Sequence, residues 1–319
     1  MVRRRELAWL AKGDKAGSFP WRWKVHYNRL VYTFSRLVFQ STIGLGLFAA
    51  GFGLALGQQA PAASGARILL LPHKLVTGER STLAVLDVGG RLTPNVNVVF
   101  SNGDKVTTDA TGRALFVAPL NPGPLSATIE GRSGRVTSTI LTPTDVPGAT
   151  EVVTAAPRIA SIADRFELLG HGFCGDADSN HVNINGFNGL VLASSPGSLT
   201  VLPPAKIEPG AAAVKLSCGQ KTTEPFTVVF VNLELEANGT ALAPGEHRTL
   251  TVRVRGTTAK VGLEAHNLAP EVAELGGAVV KAQSSGGEDN VAKFELIGKQ
   301  HGNFTVSIRL LTPLLSPRS

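Results

Sequence analysis

Apolar residues recur at every second position downstream of residue 66, and this two-residue period limits what the chain can fold into more than any other feature. Leu250, Val252 and Val254 alternate with Thr251, Arg253 and Arg255, and Phe304, Val306, Ile308 and Leu310 alternate with Thr305, Ser307 and Arg309. Successive side chains of an extended strand point to opposite faces, so such a run buries one face and wets the other. A slip of one residue would turn every apolar side chain toward water, which specifies the register strongly. The runs are short and are broken by Gly, Pro, Asn and Asp, the punctuation of antiparallel strands, and nothing here asks for a long helix. The predicted fold class is all-β, built of stacked sheets.

A chain of 319 residues exceeds one sandwich of about 100, so several domains are expected. Three blocks of similar size follow from the punctuation: residues 66–142, 158–231 and 232–312. In the first, strands are expected at Ile68 to Leu71, Thr82 to Asp87, Val96 to Phe100, Arg113 to Val117, Leu125 to Glu130 and Val136 to Leu141, with a turn at Asp109-Ala110-Thr111-Gly112. Pro143, Pro147, Gly148 and Pro157 mark a linker of limited flexibility between the first two blocks. Between Phe226–Val231 and Leu233–Glu236 there is hardly a spacer, so the second and third blocks should be stiffly coupled.

Residues 1–57 read as a basic leader followed by a signal peptide or membrane anchor. No charged residue lies between Arg36 and Arg67, and Leu37 to Leu56 is apolar and long enough to cross a bilayer as a helix. Ala55 and Gly57 stand where a signal peptidase requires small residues, which places cleavage after Gly57. The charged stretch before the apolar run is longer than most signal n-regions, which argues for an uncleaved anchor or a wrongly assigned start codon. Either way the basic flank stays inside and the remainder is exported. Arg3-Arg4-Arg5 lies too far from the apolar run for a twin-arginine signal, and no Cys stands near the leader to carry a lipid.

The formal net charge of +7 raises the question of nucleic acid, and position answers it. Residues 1–40 hold nine Lys or Arg against two acids, leaving 22 basic and 22 acidic residues downstream. The expected exported part is formally neutral, so a nucleic-acid partner is not predicted. Trp9, Trp21, Trp23, Tyr27 and Tyr32 are the only Trp and Tyr in the chain. Sugar-binding and single-stranded nucleic-acid modules lean on exposed aromatic platforms, so their absence downstream counts against both, although some sugar sites use polar contacts alone.

The segments Leu169-Gly170-His171-Gly172-Phe173, Val182-Asn183-Ile184-Asn185-Gly186, Leu199-Thr200-Val201-Leu202-Pro203 and Pro209-Gly210 with Val214-Lys215-Leu216 together resemble the IPT/TIG family of immunoglobulin-like domains. The first block is similar to bacterial Ig-like domains of the invasin and intimin type, through Gly78-Glu79 and Thr108-Asp109-Ala110-Thr111-Gly112-Arg113-Ala114. The third is similar only in its general sandwich pattern. These resemblances imply tandem immunoglobulin-like β-sandwiches in a surface or envelope setting, and they transfer no catalytic residues.

Cys174 and Cys218 are the only cysteines, and export would place them where disulfides persist. Pairing is expected, two separately buried thiols being the alternative. His171, Asp176, Asp178 and His181, with Cys174, form the densest polar cluster in the chain. Asp176, Asp178 and Asn180 fit the first, third and fifth positions of a calcium loop, but His181 stands where the loop needs Gly and Phe187 where it needs Glu. Acids and histidines beside a strand are ordinarily solvated turn formers, so no metal is assigned. No GxSxG, HExxH, CxxC or Walker A pattern occurs. No cofactor and no enzymatic activity are predicted. The expected role is a non-catalytic structural or interaction protein, periplasmic, on the cell surface or secreted, with an envelope or surface protein as partner. The alternatives are an envelope polysaccharide-binding module and an accessory domain protein of a hydrolase. Contact with the membrane would run through the N-terminal segment if uncleaved.

Overall fold

The computed structural model describes residues 30–31, 67–143, 152–236, 242–301, 304–311 and 316–317. Apart from Leu30–Val31 (β1), the expected leader lies outside them, and among the described residues no helix is long and apolar enough to cross a membrane. The regular secondary structure described is almost wholly strand, and the buried apolar side chains gather into three main cores, one per block of alternation.

The first core lies between two sheets made from β2 (Arg67–Leu70), β3 (Lys74–Val76), β4 (Arg80–Asp87), β5 (Asn97–Phe100), β6 (Lys105–Thr107), β7 (Arg113–Val117), β8 (Gly123–Ile129) and β9 (Arg135–Leu141). Antiparallel β2-β4-β7 faces the sheet β3-β9-β8-β5-β6, in which β3 runs parallel to β9. Leu75, Leu83, Val85, Val98 and Ala127 are fully buried between them, and the rings of Phe100 and Phe116 meet at 4.9 Å. β3 and β6 are not among the expected strands, because three residues are too few to display a period.

The second core is enclosed by β10 (Val152–Ala156), β11 (Ile159–Ser161), β12 (Phe166–His171), β13 (Asn180–Ile184), β14 (Phe187–Ser195), β15 (Ser198–Leu202), β16 (Gly210–Cys218), β17 (Lys221–Thr222) and β18 (Phe226–Glu236). One sheet runs β10-β12-β15-β14 and the other β14-β13-β16-β18, with β11 parallel to β18. β14 belongs to both, and its register shifts between Val191 and Ala193 as it crosses. β10 lies within the stretch read from sequence as a linker. It is ordered there by pairing with β12 and by burying Val153 and Ala156 in this core.

The third core is built by the end of β18 with β19 (His247–Arg255), β20 (Gly262–Asn267), β21 (Ala273–Glu274), β22 (Val279–Gln283), β23 (Val291–Gly298) and β24 (Val306–Leu310). One sheet runs β18-β19-β23-β21, the other β1-β24-β20-β22, and a short β25 (Ser316–Pro317) returns to pair with β10.

Two joints connect the cores. β18 pairs with β16 through Phe226 to Phe230 and with β19 through Asn232 to Glu236, so one unbroken strand serves the second and third cores. This strand occupies the place where the sequence offers no spacer. The joint between the first and second cores is not visible in the sequence pattern. There Thr82 of β4 pairs with Ser194 of β14, joining sheets from both units. Leu70, Ala84 and Leu86 pack against Leu192 and Ala193 in a fully buried apolar seam.

Candidate functional site

The loop from His171 to His181, which sequence reasoning marks as the polar cluster, is held together by one buried side chain. Asn180 is 6% exposed. Its amide nitrogen donates to the Cys174 carbonyl at 2.8 Å, the Asp176 carbonyl at 2.9 Å and Ser194 Oγ at 2.9 Å, while its oxygen accepts the Cys174 N–H at 3.0 Å. Ser194 Oγ in turn donates to the Cys174 carbonyl. The Asp176 carboxylate accepts the Asp178 N–H at 3.0 Å and caps a single 3-10 turn, Ala177–Ser179. A disulfide joins Cys174 to Cys218 at the end of β16, with the Cα atoms 5.7 Å apart. The loop is therefore fixed at its root by a covalent bond and along its length by hydrogen bonds.

What the fixed loop faces is the first unit. Thr82 Oγ1 donates to the Gly175 carbonyl at 2.9 Å and accepts the Ala177 N–H at 3.1 Å. Gly175 approaches so closely that a Cβ there would stand 1.8 Å from the Arg80 carbonyl oxygen, so only glycine fits. Arg113 of β7, its side chain 10% exposed, reaches across to Asp178 at 2.8 Å and donates to the Val191 carbonyl at 3.2 Å. On the far side of the seam Ser195 Oγ donates to the Lys74 carbonyl and Ser198 Oγ accepts the Lys74 N–H at 3.2 Å. Glu167 lies there too, where burial raises its carboxyl above the usual range against the opposing pull of His73 and Lys74.

The four polar residues singled out in the sequence are thus not gathered on one centre. His171 is half-buried where β12 meets Val152, and its Nδ1 is enclosed without a hydrogen-bond partner. Asp176 is spent on a turn and Asp178 on Arg113. His181 is exposed on β13 opposite Ser217. Among the described residues no group of three or more His, Cys, Asp or Glu is disposed to hold a metal ion. Thr82, Arg113, Gly175, Asn180 and Ser194 carry the joint and escape sequence reading. The available signal was the pair of unbroken apolar runs Leu83-Ala84-Val85-Leu86 and Leu190-Val191-Leu192-Ala193, a pattern that fits strands buried on both faces.

Two further polar clusters lie away from this joint. An open groove of about 700 Å³ at the second joint is lined by Pro209, Val229, Arg253, Arg255 and Glu288. Its arginines are committed, Arg253 to Glu236 and to Asp289 at 2.9 Å, Arg255 to Glu234 at 2.7 Å. In the third unit Glu264 accepts from Arg309 Nε at 3.0 Å and from His266 Nε2. Those bonds, Arg309 first, hold its carboxyl below the usual range, the wrong direction for a general base working near neutrality.

No family model matches the chain, and no curated protein matches it. Among solved structures it is similar to a Bacteroides ovatus mixed-linkage glucan utilization locus protein, SGBP-B, solved with a mixed-linkage heptasaccharide: 12% identity, 80% of this chain and 76% of that one, TM-score 0.30. It is similar to domains 1–6 of the surface layer protein SbsC at 16% identity, over 77% of this chain but 38% of that protein, TM-score 0.18. It is also similar to immunoglobulin domains 1–4 of Sidekick-1 at 12% identity, over 74% and 76% of the two chains, TM-score 0.24.

Proposed function

We propose that this is a non-catalytic, extracytoplasmic structural or interaction protein of the cell envelope, a stiff spacer that presents loops and strand edges to another protein. The observation that carries the reading is the pair of joints. A strand common to two cores and a sheet continued from β4 into β14 leave little freedom between units, whereas domains that merely hang together move by default. The disulfide Cys174–Cys218 at the root of the first joint supports an oxidising compartment. The resemblance of the middle block to IPT/TIG domains and of the first to bacterial Ig-like domains belongs to the same proposal. So does tethering through the N-terminal segment.

The test is affinity capture from envelope fractions with the chain as bait, run beside a turnover screen against envelope polysaccharides and peptides. Retention of a discrete envelope protein without turnover is expected. Catalytic turnover of any of these substrates would overturn the reading, and retention of polysaccharide alone would replace the protein partner by a glycan.

A further inference from the structure

The outer edge of β7 is open, and its chemistry suits a strand identical to itself. The Ala118 N–H donates to the Glu79 carbonyl at 2.9 Å and the Gly112 carbonyl accepts the Val85 N–H at 3.1 Å. Antiparallel strands alternate bonded and non-bonded pairs, so counting in twos from these anchors turns the backbone groups of Ala114 and Phe116 toward β4. The same count turns the N–H and C=O of Leu115 and Val117 outward, where no described residue meets them. The edge is bounded at both ends. Asp109 takes up the Arg113 backbone, its N–H donating to the Arg113 carbonyl at 2.8 Å, and Pro119 has no N–H to offer.

The side chains at these two positions are aliphatic and exposed, Leu115 by 47% and Val117 by 59%, while Ala114 and Phe116 fill the first core. Natural edge strands are usually guarded by a charge, and β2, β3, β17 and β22 carry Arg67, Lys74, Lys221 and Lys281. Each of those would repel or desolvate its own copy on self-pairing. β7 has only Arg113, whose charge is already committed to Asp178.

We propose that β7 is a self-association edge that pairs antiparallel with β7 of a second copy of this chain. Leu115 lies opposite Val117 of the other copy, and the two-fold axis passes at Phe116. In that register each outward N–H faces an outward carbonyl, giving four backbone hydrogen bonds and two Leu–Val cross-strand pairs, an isologous contact that closes on itself. An interface this short predicts a weak, concentration-dependent dimer, and the inference does not depend on the spacer reading.

The experiment is sedimentation equilibrium of the full chain over a wide concentration range, with wild type, Val117→Lys, and cysteine variants at positions 115 and 117. Wild type should dimerise reversibly. Val117→Lys should weaken the dimer roughly tenfold or more, through both symmetry-related pairs, with circular dichroism and thermal midpoint unchanged. Under mild oxidation the double variant Leu115→Cys with Val117→Cys should cross-link between copies, because paired residues on neighbouring strands lie within disulfide range. Neither single variant should, since position 117 faces 115 in this register. A monomer at every concentration, a dimer indifferent to Val117→Lys, or cross-linking by a single variant would each overturn the proposal.

Discussion

Asp178 Oδ1 of the second unit lies 2.8 Å from Arg113 Nη1 of the first, yet the two side chains stand in different solvents, 73% and 10% exposed. An exposed carboxylate contributes little, about 0–1 kcal/mol, so Asp178→Ala should barely move the unfolding curve. Arg113 also donates to the Val191 carbonyl and, through Nε, to Thr111 at 3.3 Å. Arg113→Ala should cost roughly 2 kcal/mol, mostly by leaving a buried carbonyl without its donor. Urea titrations of the two variants, followed at the first transition, should separate these effects; equal losses would mean that the ion pair, not the carbonyl, holds the joint.

Gly175→Val tests the joint without touching a charge. The 1.8 Å approach to the Arg80 carbonyl leaves no room even for Cβ, and the obstacle is backbone, which cannot swing aside. The first unit should undock, giving wider small-angle scattering profiles and faster proteolysis between the first two units. Gly134→Ala, where a Cβ meets nothing within 4 Å, serves as the control and should stay within about 0.5 kcal/mol of wild type. A compact profile for Gly175→Val would show that the units are held from elsewhere.

The strands were legible where alternation ran long enough. Arg113–Val117 is found with the expected bounds, and Val252 and Val254, or Val306, Ile308 and Leu310, turn to the core as their period requires. The pairing of Cys174 with Cys218 was legible too, because two cysteines in a chain expected to be exported leave few alternatives. The first joint was not. Ser194, Ser195 and Ser198 are fully buried, but small hydroxyl residues in a turn read as solvated unless the surface that covers them is known. Gly175 looks like loop punctuation in sequence and is a point of backbone contact in space. The polar cluster meets a related limit: closeness along the chain gathers His171, Asp176, Asp178 and His181, while strand geometry and the Arg113 partner disperse them.

Two carboxylates should give the protein opposite pH responses. Glu264, held below the usual range by Arg309 and then His266, contributes stability that is present above the ordinary Glu value and lost as pH falls through the depressed one. Glu264→Gln should therefore be less stable than wild type near neutrality, with the difference shrinking in acid. Glu167 is raised by burial, so its contribution is present below the ordinary value and lost as pH rises through the raised one. Glu167→Gln should gain stability near neutrality and lose that advantage in acid. Thermal midpoints of both variants across the acid range check the signs, and parallel curves for wild type and either variant would remove that carboxylate from the account.

The disulfide closes a loop of sequence separation 44 and anchors Cys174, whose carbonyl is the acceptor shared by Asn180 and Ser194. Cross-linking at that separation restricts the unfolded chain by about 4 kcal/mol in the chain-entropy account. The folded state loses something different on reduction: the root of the loop that carries Gly175 and Ala177 to Thr82. Replacing both cysteines by serine should thus lower the second unit's stability by a few kcal/mol. It should also loosen the first joint at temperatures where every core is still folded. Hydrogen exchange separates the two effects, since the N–H of Ala177 should lose protection before those of the second core. Loss of protection in the core and the joint together would show that the disulfide serves the unfolded state alone.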